Sequence, residues 1–109
     1  MSVQQNLTAV AGNDLRYHVA ITLARENLNL TPYTPLAVLK AAATSPDGAG
    51  TTYGIGTGLT YTYEAFGKFD WVIPHTDTVP SGQMWYRIDI DDGSAVVTAM
   101  YGTLTLIAA

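Results

Sequence analysis

The sequence predicts an all-β domain, an antiparallel sandwich of about seven strands. Leu15, Tyr17, Val19, Ile21 and Leu23 are apolar at every second position between Leu15 and Ala24. Arg16, His18, Ala20, Thr22 and Ala24 alternate with them, and a period of two marks a half-buried strand. Further runs of this kind are cut by Gly, Pro, Asn and Asp clusters every eight to twelve residues or so, the rhythm of a sandwich. No segment carries the 3.6-residue apolar period of a helix.

Taken in order, Leu7 to Ala11 is a short strand, joined to the long alternating one by the turn Gly12-Asn13-Asp14. Asn27 to Pro35 reads as a loop, because Pro32 and Pro35 donate nothing to a central ladder. Leu36 to Ala43 is a compact apolar run, too short for a stable helix, and is expected as a strand. Ser45-Pro46-Asp47-Gly48 has the residues of a tight turn, and the glycine-rich stretch to Gly58 is expected to be irregular. Leu59 to Glu64 and Phe66 to Ile73 alternate again around a turn at Gly67. In these runs Leu59, Tyr61 and Tyr63 alternate with Thr60, Thr62 and Glu64, and Phe69, Trp71 and Ile73 share one side. Pro74 to Gly82 connects to a strand over Gln83 to Asp91, with Met84, Tyr86, Ile88 and Ile90 inward. Asp92-Gly93 is a hairpin signal, and the last strand runs from about Ala95 to Ile107. A chain of 109 residues supplies one core, so residues 1–109 are expected as a single domain with residues 1–6 as an N-terminal arm.

Composition narrows the partners. Lys and Arg number 5 against 9 Asp and Glu, a net charge of −4, and only 13% of residues are charged. Such a surface repels phosphate and anionic lipid, which argues against nucleic acid and membrane as partners. It is cheap to dry, which suits contact with other subunits. No apolar run is long enough to be a membrane-spanning helix, and the first residues lack the form of a secretory signal. Cysteine is absent, so there is no disulfide framework or thiolate metal site.

Chemistry-bearing motifs are weak. Gly54, Gly56 and Gly58 imitate a phosphate-cradling loop, but a Thr/Tyr strand follows them where a helix is required. Asp89, Asp91, Asp92 and Gly93 resemble the start of a calcium loop whose spacing is one residue short. His18 and His75, with Asp70 or Asp77, have no zinc-ligand spacing. Ser81 and Ser94 sit in turns, outside any nucleophile elbow. No catalytic residue, cofactor or metal is expected.

Tyr53, Tyr61, Tyr63, Trp71, Trp85 and Tyr101 can be read as a sugar-stacking platform or as core and interface anchors. Trp71 shares parity with Phe69 and Ile73 and belongs to the core. Trp85 shares parity with Arg87 and Asp89 and is expected at an interface. Val3, Tyr53, Ile55, Trp85, Arg87 and Asp89 are therefore the candidate contact residues, from the arm, the 51–58 loop and one outward strand face.

The order of segments resembles a known family. Gly12-Asn-Asp14 opens the alternating strand, and Gly67-Lys-Phe-Asp-Trp-Val-Ile-Pro74 and His75-Thr-Asp-Thr-Val79 come later. Ser81-Gly-Gln-Met-Trp-Tyr86-Arg-Ile-Asp-Ile-Asp91 and Met100-Tyr-Gly-Thr-Leu-Thr-Leu106 complete the set. This pattern is similar to the immunoglobulin-like N-terminal module of phage baseplate upper proteins and to small virion domains of tailed phages. It spans residues 7 to 107, leaves Thr31 to Gly58 unmatched, and lacks a fibre or receptor-binding extension. The resemblance implies an immunoglobulin-like sandwich and a non-enzymatic structural role in the virion, assembled in the bacterial host cytoplasm. The expected partners are further copies of itself, as a ring or trimer, and major capsid or tail proteins. In that role it decorates or cements the capsid, or sits in the tail or baseplate. The alternative is a carbohydrate-binding or adhesion sandwich.

Overall fold

Alternating apolar residues need a sheet with one dry face, and the chain builds two such faces and closes them on each other. The computed structural model describes residues 3–23, 26–79 and 81–108. Met1 and Ser2 of the expected arm, Ala24 of the long strand and Pro80 of the connection lie outside these. The strands are β1 (Val3–Gln4), β2 (Leu7–Val10), β3 (Leu15–Ala20), β4 (Thr22–Leu23), β5 (Glu26–Asn27), β6 (Thr34–Lys40), β7 (Thr51–Ile55), β8 (Gly58–Tyr63), β9 (Lys68–Ile73), β10 (Gly82–Asp91) and β11 (Val96–Ile107). Among the described residues the only helical turns are short 3-10 turns at Asp47–Ala49, Glu64–Phe66 and His75–Asp77.

β11, β10, β6 and β7 form one layer, and β8, β9 and β3 form the other. β3-β9-β8 and β6-β10-β11 are the B-E-D and C-F-G sets of an immunoglobulin-like sandwich, with β7 as an added strand beside β6. The layers are one sheet folded over, joined at Gly54↔Gly58 and Ile55↔Leu59. Main pairings are antiparallel, while β1 and β2 lie parallel to β11. β4 and β5 pair antiparallel as a separate two-stranded sheet.

The core is the meeting of the two inward faces. Val19 and Ile21 from the long alternating run, Met84, Tyr86, Ile88 and Ile90 from β10, and Leu59, Phe69, Trp71 and Ile73 are all buried. Full burial of an aliphatic or phenyl side chain contributes about 1.5–3 kcal/mol. Trp71 is the hub, with the rings of Tyr53, Tyr86 and Tyr17 at 5.5, 5.6 and 6.2 Å.

Four expectations need correction. The 51–58 stretch is not irregular, because Thr51 to Leu39 and Gly54 to Leu36 are ladder pairs of β7 with β6. Pro35 belongs to a strand: it lies second in β6, opposite Ile90, beyond the last residue that pairs with β7, where a missing N–H costs little. Tyr63 points outward and is 62% exposed, because a bulge after Tyr61 sets it opposite Lys68 and reverses the parity. Residues 3–6 are no loose arm, since Val3 pairs with Met100 and Gln5 N–H donates to the Tyr101 carbonyl.

Candidate functional site

The expected contact face is the outward side of β10. Lys40 stands opposite Trp85, and Val38 opposite Arg87. The structure closes much of this face with the chain's own turn. Gly50 lets the turn come down onto β6, where any Cβ would meet the Leu39 carbonyl and the Lys40 Cβ. Asp47, on that turn, then reaches two cations. Arg87 Nη2 donates to its Oδ2 at 2.7 Å and Lys40 Nζ to its Oδ1 at 2.9 Å. Lys40 also donates to the Ser45 carbonyl at 2.7 Å, and its ammonium sits 4.9 Å from the centre of the Trp85 ring. On the other side Arg87 Nε donates to Asp89 at 2.8 Å, and Asp89 accepts from Thr98 Oγ1. The Arg87 and then the Lys40 hydrogen bonds hold the Asp47 carboxyl down to about 2. The result is an ionic clasp in which each buried charge has a partner.

Of the candidate residues, Trp85 is half-buried beneath Lys40, Arg87 is tied within the clasp, and Ile55 is exposed. Val3 contributes its backbone to the sheet. Tyr53 and Asp89 are corrections: they are 3% and 5% exposed and offer no contact surface. Tyr53 lies in β7 and not in a loop, and the strand turns its ring into the core, where its hydroxyl donates to Asp77 at 2.8 Å. Burial, reinforced by Asp77, pushes that hydroxyl's pKa far upward.

The imidazoles are not brought together. His18 Nδ1 lies 2.6 Å from Asp70 Oδ1 across the β3–β9 ladder, and Arg16 donates to the other oxygen at 3.1 Å. His18 and then Arg16 lower the Asp70 pKa. His75 is held by Asp14, which accepts from its backbone N–H and its ring at 2.8 and 2.9 Å. Among the described residues no three His, Cys, Asp or Glu side chains form a metal-binding group. The acids at the β10–β11 connection serve the hairpin. Asp91 accepts from Gly93 N–H, and Asp92 accepts from the Ser94 and Ala95 N–H groups.

Sequence reasoning missed two features. One is the pairing of Lys40 with Asp47, signalled only by a lone lysine closing an apolar run shortly before a Pro-Asp-Gly turn. The other lies between the layers. A cavity of about 180 Å³ beside β3 is lined by Tyr17, Val19, Trp71, Tyr86 and Ile88 among others. Trp71 Nε1 is buried without a hydrogen-bond partner, and an unpaired buried donor costs about 1–3 kcal/mol.

No family model and no curated protein matches this chain. Among solved structures it is similar to the NK cell receptor Nkp44, described as a triggering partner in natural cytotoxicity. The identity is 16% and the TM-score 0.47, over 96% of this chain and 99% of that one.

Proposed function

We propose that the chain is a non-enzymatic structural module of a tailed-phage virion. It joins neighbouring subunits as a capsid decoration or cement, or as part of the tail or baseplate. One observation carries the reading: large apolar side chains stand exposed at separate points on a chain in which only 13% of residues are charged. Val10 and Ile107 are register partners at one sheet end, and both are exposed. Val96 and Val97 stand out by the β10–β11 hairpin, and Tyr63 and Phe66 form a ring pair 5.5 Å apart on the β8–β9 turn. Covering such groups returns about 25 cal/mol per Å² of apolar area. The segment order that resembles phage virion modules supplies the biological setting. The mechanism is mechanical: buried area and strand pairing hold particles together.

Two measurements test this. Proteomics of purified particles from the phage that encodes the chain should find it at stoichiometric copy number, and native mass spectrometry should find it assembling. A chain absent from particles, monomeric at every concentration and indifferent to isolated heads and tails overturns the reading. The glycan-binding alternative retains one foothold, the exposed Tyr63–Phe66 pair, because Trp85 is capped by Lys40. Glycan-array binding lost in Tyr63→Ala would favour it.

A further inference from the structure

β3 is an edge strand, and among the described residues it pairs with β9 alone. Ile21 N–H donates to the Gly67 carbonyl at 2.9 Å. Antiparallel pairing alternates, so the odd positions aim their amides at β9, while those of Arg16, His18 and Ala20 aim away. A row of outward amides and carbonyls is a template for another strand. Such a strand alternates its own side chains about the edge. One set stands over the cavity that Trp71 helps to line together with Gln5, Leu7 and Met100, and the Trp71 Nε1 is buried without an acceptor. The other set stands beside Arg16 and His18, whose side chains are 63% and 81% exposed, and near Lys68, opposite Ala20.

That outer row is basic on a chain of net charge −4. Arg16 and Lys68 stand there with one carboxylate, Asp70, which already accepts from Arg16 and His18. A second copy is a poor occupant. Antiparallel pairing of β3 with itself keeps like parity together, so a second copy brings only Arg16, His18 and Ala20 over this row and offers it no carboxylate. Basic groups directly opposite one another destabilise a ladder.

We propose that the outer edge of β3 receives an extended segment of a different polypeptide by strand addition. Its outward side chains are acidic and pair with Arg16 and Lys68. An inward side chain with a carbonyl or hydroxyl oxygen enters the cavity and accepts the Trp71 indole N–H. Main-chain hydrogen bonds provide the affinity, and the cavity and the basic row provide the specificity. The proposal rests on the reading of the chain as an assembly module and names the chemistry of its partner.

The test uses the full chain and two blocked heptapeptides as probes at millimolar concentration. One alternates Asp with Val around a central Asn, and the other replaces each Asp by Lys. Amide exchange and indole resonances are followed by NMR. The acidic peptide should slow exchange at Arg16, His18 and Ala20 by about tenfold at tenfold excess over its dissociation constant, and should shift the Trp71 indole proton. The Lys peptide should do neither, and Lys68→Glu, at an exposed position of the same row, should remove most of the protection while thermal unfolding stays unchanged. Protection by both peptides, by neither, or away from β3 overturns the proposal. If the chain nevertheless assembles or joins particles, the structural reading stands and only the β3 edge is wrong. If it does neither, both fall.

Discussion

Asp47 and Arg87, forty residues apart in sequence, meet with Nη2 to Oδ2 at 2.7 Å, and Lys40 shares the same carboxylate. This contact fastens the 45–50 turn to the sheet and gives the domain an acid-sensitive latch. A carboxyl held at about 2 is depressed below its unfolded value of about 3.9. Its stabilisation is therefore present above pH 4 or so and drains away as pH falls toward about 2. Asp47→Asn should lower stability at neutral pH and flatten the acid limb of a urea-denaturation series taken from pH 6 to pH 2. A variant whose acid limb matches the parent would show that other carboxylates set it.

Trp71 separates size from polarity. Trp71→Ala should cost about 3–5 kcal/mol by emptying the hub. Trp71→Phe should cost clearly less, because it keeps a ring against Tyr53, Tyr86 and Tyr17 and removes an indole N–H that has no partner. Urea unfolding of both variants reads the difference directly.

Gly67 is fixed by backbone. It adopts φ 73° where the chain enters β9, and an added Cβ would lie 2.5 Å from the Ile21 carbonyl oxygen and 2.7 Å from that of Leu28. Gly67→Ala combines a left-handed conformation with that collision and should cost about 1–3 kcal/mol. Calorimetry should show a melting point lower by several degrees or more. An unchanged melting point would mean that the β8–β9 turn shifts freely.

Tyr86 ties the N-terminal strands to the core, its hydroxyl donating to the Gln5 carbonyl at 2.5 Å. Tyr86→Phe should cost about 1 kcal/mol and should raise amide exchange in residues 3–6 before any other region. Burial pushes the Tyr86 hydroxyl up to about 12. A raised value favours the neutral form in the fold, so this stabilisation is present below about pH 10 and lost as pH climbs toward 12. The Phe variant should lack that part of the alkaline unfolding limb.

The strands that alternate cleanly were legible from sequence. β3, β9 and β10 put Val19, Phe69, Trp71, Tyr86 and Ile88 inside as parity requires. Legibility failed where tertiary pairing overrides local pattern. Thr51 to Ile55 is broken by Gly54 and flanked by Gly50 and Gly56, which mask its strand-forming Thr, Tyr and Ile residues, yet the neighbouring β6 supplies a ladder for it. Tyr63 obeys parity until one bulge flips it. At the candidate contact face, parity and sheet agree in turning Trp85, Arg87 and Asp89 away from the core. Only the fold reveals that a turn on a remote segment closes over them, because period-two patterning carries no record of which loop lies above a sheet.

The parallel lie of β1 and β2 against β11 has a mechanical corollary. Val3 begins beside Met100 and Val10 ends beside Ile107, so traction on the two ends of the chain pulls these strands lengthwise past each other. Hydrogen bonds loaded that way yield together, whereas a hairpin unzips one rung at a time. A force-extension trace should therefore show one abrupt high rupture, the behaviour wanted of a part that must hold while its surroundings are under tension.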